Sequence, residues 1–207
     1  MLPPTIPVFP LPTVVLFPNV FLPLHIFEPR YRRMVDDALN GDRIIGMVLL
    51  RPGWERDYDG RPAVYQVGCA GVITHAERLS DGRFNIILRG MEKFRITGED
   101  ASRPYRLAQV ESVPEPAAES VREEMRVERR RLETLLVPQP EGQPDPKVPS
   151  SMPDEDLVNA LAQYLELEPV EKQALLERDG VLQRCRSLIE LLEMKVLVAR
   201  HDWGSGN

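Results

Sequence analysis

IPVFPLPTVVLFPNVFLPLHIFEPRYRR, residues 6–33, sets prolines at 7, 10, 12, 18, 23 and 29 in a run that is otherwise almost wholly apolar. Proline fixes φ and carries no N–H, which keeps it out of helix interiors and central strands. The segment therefore reads as short edge-type strands joined by tight corners, whose apolar residues must still be buried. A small β-barrel crossed in short pieces meets both demands. Pro29 suits the first turn of a helix. Tyr31, Met34, Val35 and Ala38 then recur at helical spacing, which predicts a helix over 29–39 with a stop near Gly41.

Outward from this block the pattern stays β. Arg43 to Arg51 reads as a buried strand, and Val64 to Ala76 and Arg83 to Thr97 read as long strands meeting at Ser80-Asp81-Gly82, a hairpin signal. Phe84, Ile86, Leu88, Phe94 and Ile96 share one parity and face a common core, while Gly90 marks a bulge or bend. Tyr105 to Val113 supplies a last strand, and a closed or nearly closed sheet removes exposed edges. Pro114 and Pro116 end the β lobe. Ser120 with Glu123 then forms a capping box, opening a helix with Val121, Met125, Leu132, Leu135 and Leu136 on its apolar side. Prolines at 138, 140, 144, 146, 149 and 153 make 137–153 an exposed connection of polyproline character. Leu157, Ala160, Leu161, Tyr164 and Leu165 recur with helical period. A short helix over 169–178 stops near Gly180, and a longer one carries Val181, Cys185, Leu188, Ile189, Leu192 and Val196. The expected fold class is α+β: a β-barrel lobe with one inserted helix over residues 1–116, then a helical bundle over 117–207.

Four segments carry a resemblance to a known family: LPLHIFEPRY (22–31), GDRIIGMVLL (41–50), VGCAGVI (67–73) and DGRFNIILRGMEKFRI (81–96). In order and spacing they resemble the N-terminal substrate-binding domain of Lon proteases, which also occurs as a free-standing bacterial protein. The resemblance implies a PUA-like pseudo-barrel followed by a helical bundle, and a role in holding protein or peptide. It does not imply peptidase activity, because a Lon enzyme also needs an ATPase module and a Ser–Lys proteolytic module. No GxxxxGK[ST] phosphate loop occurs in the 207 residues.

Composition agrees with a soluble globule, at 43% hydrophobic and 28% charged residues. Cys69 and Cys185 stand alone, without a CxxC, so neither a disulfide framework nor a zinc site is indicated and buried thiols are expected. The start, MLPPTIPVFP, lacks the basic and apolar regions of a signal peptide, and no stretch is long enough to span a bilayer. The expected location is cytoplasmic. Residues 1–118 hold 14 Lys+Arg and 14 Asp+Glu, whereas residues 119–207 hold 12 and 18, which places the whole net charge of −6 in the second part. A pI near 5.2 argues against a general nucleic-acid binder.

No residue pattern points to catalysis, a cofactor or a metal. His25, His75 and His201 are isolated, with no nucleophile–base pairing evident around them. Glu28, Arg30, Tyr31 and Arg32 could hold a ligand carboxylate through the two arginines, but charge pairing at the helix end is the better reading. Arg129-Arg130-Arg131 is flanked by Glu119, Glu123, Glu124, Glu128 and Glu133 at spacings that allow i,i+4 pairs, so it reads as a salt-laced solvent face. The loop from Arg51 to Pro62 is different, being hydrophilic yet carrying Trp54 and Tyr58 beside Arg51 and Arg56. Aromatics with arginine are enriched at binding hot spots, so these four are the candidate partner-binding residues. The expected function is a non-catalytic protein- or peptide-binding module. Its partners would be unfolded or tagged protein segments, held between the lobes or beside the Trp54 loop, with a separate protease or ATPase a further partner. The alternative is an RNA-binding module using the barrel.

Overall fold

The computed structural model describes residues 2–57, 60–116, 121–136 and 152–204, with the backbone alone at 57 and 199–204. Tyr58, Ser120 of the capping box and most of the proline-rich connection lie outside the described residues. Six strands and five α-helices are described: β1 (Thr5–Leu11), β2 (Phe21–Ile26), α1 (Pro29–Leu39), β3 (Ile44–Leu49), β4 (Val67–Arg78), β5 (Phe84–Asp100), β6 (Arg106–Ser112), α2 (Arg122–Leu136), α3 (Asp154–Tyr164), α4 (Pro169–Leu176) and α5 (Val181–Gly204). They form two compact units, the described residues of Met1–Pro114 with Asn159–Glu177, and those of Glu115–Val158 with Arg178–Asn207.

The first unit is built on one mixed sheet in the order β2-β5-β4-β3-β1-β6, with β6 pairing back onto β5 to close a ring of five strands. The ring is not a regular barrel. β1 runs parallel to β3 while the remaining pairings are antiparallel. The prolines of the opening block fit this arrangement. β1 pairs with β6 through Thr5–Val8 and with β3 through Val8–Leu11, so Pro7 and Pro10 each lie in a half that is laddered on one side. A missing N–H is tolerated there. β2, with Pro23, is the outer strand and pairs with β5.

α1 starts as expected, with Pro29 in its first turn after an extended Glu28, and buries Tyr31, Met34, Val35 and Ala38. The Asp-Gly signal becomes the β4–β5 turn. Gly82 takes φ +81°, a left-handed conformation that costs glycine little, and the Asp81 carboxylate accepts a hydrogen bond from the Arg83 N–H at 3.0 Å. β5 bends around the unit because its register breaks three times, against β4 near Gly90 and near Leu88 and against β6 near Thr97. At Gly90 a Cβ would lie 2.0 Å from the Phe17 carbonyl oxygen, so the backbone of the Phe17–Val20 corner packs directly on it.

Phe84, Ile86, Leu88, Phe94 and Ile96 all point into the core. The Phe94 ring sits where Cβ atoms at Gly46 and Gly68 would be, which is how three strands close over one aromatic. Three amide side chains join the later helical residues of this unit to its strands and corners. Gln163 accepts from the Phe17 N–H at 3.0 Å, and Asn159 and Gln173 donate to the carbonyls of Pro18 and Val67 at 3.1 and 3.0 Å.

In the second unit α2 buries Met125 and Leu132, and α5 buries Cys185, Leu188 and Ile189. Both cysteines are buried thiols. Burial pushes the Cys185 thiol up to about 12, so it stays protonated and unreactive at neutral pH. Arg184 is fully buried and paired with Glu115. Among the described residues no helix is long and apolar enough to cross a membrane.

Candidate functional site

The loop after β3 folds partly inward. Trp54 opens a single 3₁₀ turn (Trp54–Asp57) and is half-buried against the core cluster that contains Ile6, Val8 and Phe94. Arg51 is exposed, yet its guanidinium lies 5.2 Å over the Tyr65 ring and its Nε donates to the Val64 carbonyl at 3.2 Å. Arg56 is exposed. The structure therefore places Trp54 and Arg51 on the barrel wall, where packing holds them.

A cavity of about 350 Å³ opens next to the end of this loop, between the start of α1, the end of β1 and the segment entering β6. Its charged lining is Glu28, Arg30, Arg61, Arg103 and Arg106. Arg106 is buried, donating from Nη1 to Glu99 at 2.8 Å and from Nη2 to the Pro62 carbonyl. Arg61 approaches the same Glu99 at 3.7 Å. Behind the lining, Asp37 accepts from the Tyr105 hydroxyl at 2.8 Å and pairs with Arg33 and Arg103 at 3.0 and 3.6 Å. Burial, together with the donated bond to Asp37, raises Tyr105 to about 12, so its hydroxyl remains a proton donor. None of Trp54, Arg51 or Arg56 lines this space.

A third feature is the outer strand. Phe21 and Phe27, at the two ends of β2, are 51% and 59% exposed, and Tyr164 is 63% exposed while its hydroxyl donates to the Phe21 carbonyl at 2.6 Å. Phe21, Pro23, His25 and Phe27 lie on the exposed side of this strand, with the two phenylalanines at opposite ends. The sequence reading passed over these residues, since the apolar run at 20–27 looked uniformly buried. The signal was present as alternation: along β2 Phe21, Pro23 and His25 face out while Ile26 faces in.

Histidines 25 and 75 lie exposed on strands, with His25 Nδ1 2.8 Å from Asn85 Oδ1. Among the described residues no group of three or more His, Cys, Asp or Glu is arranged to hold a metal ion.

The family model described as the ATP-dependent protease La (LON) substrate-binding domain matches residues 5–194. The chain belongs to the Lon substrate-binding domain family. It is 29% identical over 208 residues to Lon protease 1 of Herpetosiphon aurantiacus, an alignment covering 95% of this chain and 25% of that enzyme. The chain thus spans about a quarter of the length of this curated Lon relative. The family match takes in the substrate-binding domain and no ATPase or protease domain. The fold is shared with the Lon N-terminal domain protein from Xanthomonas campestris, at TM-score 0.58 and 22% identity over 90% of this chain and 97% of that one. It is shared also with the N-terminal domain of Mycobacterium avium complex Lon protease, at TM-score 0.63 and 17% identity over 91% and 98%.

Proposed function

We propose that this Lon-type domain is a non-catalytic module that holds exposed apolar segments of unfolded or tagged proteins, in a cytoplasmic setting and in company with a separate ATPase or protease. The observation that carries the reading is the outer strand β2, with Phe21 and Phe27 more than half exposed and Tyr164 joined to it. An extended segment can lie along such a strand and use the aromatic rings as anchors. The Trp54 loop, with Arg51, Arg56 and Tyr58, is a second contact region in the same proposal. Affinity for a short segment is modest, because ordering a flexible partner costs about 2–5 kcal/mol.

The test is a titration of the chain with one model protein in two states, native and reduced-unfolded. The unfolded form binds at micromolar concentration and the native form does not. Phe21→Ser/Phe27→Ser weakens binding about tenfold or more, as expected when two aromatic anchors are removed, and Trp54→Ala weakens it less. No binding of the unfolded form at high micromolar concentration removes the proposal. Unchanged binding by the double variant moves the surface away from β2.

A further inference from the structure

The cavity beside α1 has an unusual pairing ratio. Glu99 serves both Arg61 and Arg106, and Asp37 serves both Arg33 and Arg103 as well as the Tyr105 hydroxyl. Each carboxylate thus faces two guanidinium groups. The one carboxylate in the described lining, Glu28, is held by Arg30 at 3.0 Å. Among the described residues, positive charge is therefore left over around the space.

The walls add a second constraint. Residues 10, 12, 62 and 104 of the lining are prolines, which offer no N–H and are stiff and apolar. The directed donors facing the cavity come chiefly from arginine, whose fork matches a carboxylate through two parallel bonds. At about 350 Å³ the cavity lies near the small end of the range for bound ligands, about 300–1,000 Å³. Its volume suits a short piece of chain such as a terminal residue.

We propose that this pocket takes the C-terminal end of a polypeptide, with the terminal carboxylate on Arg61 and Arg103 and the last side chain against the proline walls. A free inorganic anion would satisfy the arginines and leave the apolar walls unused. The inference rests on the reading of the domain as a protein-binding module, and supplies the substrate feature that the β2 surface does not read. Arg106 is the positioning residue, since its bonds to Glu99 and to the Pro62 carbonyl fix the wall from which Arg61 projects.

The experiment uses a fluorescein-labelled ten-residue peptide ending in leucine, made as the free acid and as the C-terminal amide, titrated against the full chain by anisotropy. The free acid binds about tenfold or more tightly than the amide, the size expected for a charge-assisted hydrogen-bonded pair. In Arg61→Gln/Arg103→Gln, two exposed positions whose loss shifts the melting temperature by only a few degrees, the acid falls to the level of the amide. Equal binding of acid and amide to the unaltered chain overturns the pocket while leaving the protein-binding reading intact. Retained discrimination in the double variant overturns its location. Competition by succinate at the same concentration as the peptide makes the occupant a free small carboxylate and overturns the chain-end assignment. If neither peptide nor unfolded protein binds, both readings fall.

Discussion

Arginine clusters in the two units pair in opposite ratios. In the β unit one carboxylate is divided between two guanidinium groups, at Glu99 and again at Asp37. In the helical unit one guanidinium takes two carboxylates: Arg129 bonds Glu133 and Asp154 at 2.8 and 2.6 Å, and Arg186 bonds Glu128 and Glu124 at 3.0 and 2.7 Å. The contrast is local to these clusters, because the helical unit holds 15 acidic against 11 basic side chains and the β unit 17 against 15, so neither unit is basic as a whole. The difference separates structural arginines from available ones. In the helical unit Arg129 and Arg186 each reach a carboxylate on another helix, whereas around the cavity of the β unit two guanidinium groups share each of Glu99 and Asp37.

The contrast breaks most easily at Arg184. Arg184→Met leaves Glu115, whose side chain is only 17% exposed, without its fully buried ion partner. Urea unfolding is expected to show a loss of about 3–5 kcal/mol, the cost of stranding a buried charge. Adding Glu115→Gln recovers most of it. Arg106→Met is expected to cost less, about 1–3 kcal/mol, because Glu99 keeps Arg61. Equal losses at the two sites would mean that sharing a carboxylate gives no protection.

A smaller effect tests the acid excess directly. Burial and the neighbouring Glu115 raise the Glu155 carboxyl, with Arg184 opposing. A carboxyl raised on folding binds its proton more tightly in the native state. Its contribution is therefore favourable below the unfolded value and is lost as pH rises through that value to the folded one. Glu155→Gln is expected to raise the unfolding midpoint at pH 7 and to leave it nearly unchanged at pH 4. The smallest effect is at Arg103, exposed and paired to an already shared Asp37, where Arg103→Gln shifts the melting temperature by no more than about 2 °C.

Local signals in the sequence carried far. Pro29 with its helical stripe, the Asp81-Gly82 turn and the parity of β5 each depend on neighbours within a few residues, and each appears in the structure where the pattern puts it. Pairing at a distance was less legible. The arginine run reads as i,i+4 pairs along α2, and Arg129–Glu133 is one, but Arg131 reaches Glu193 on α5 and Arg129 also reaches Asp154 on α3. A guanidinium is long enough to leave its own helix, and spacing cannot show that. Arg61, Arg103 and Arg106 went unremarked for the same reason, since only the pairing of β6 with both β1 and β5 brings the last two to the loop that carries the first. Trp54 shows the reverse. Its hydrophilic surroundings suggest an exposed anchor, yet a large ring beside an apolar core gains from partial burial, and Trp54 packs partly buried against that core.

The most direct test of the β unit as the receiving surface is amide hydrogen exchange of the full chain with and without saturating unfolded protein. Slowed exchange is expected across Phe21–Ile26, and in 103–106 when the partner ends in a free carboxylate, with α2 and α5 unaffected. Protection confined to α2 and α5, with β2 exchanging at its free rate, would contradict it.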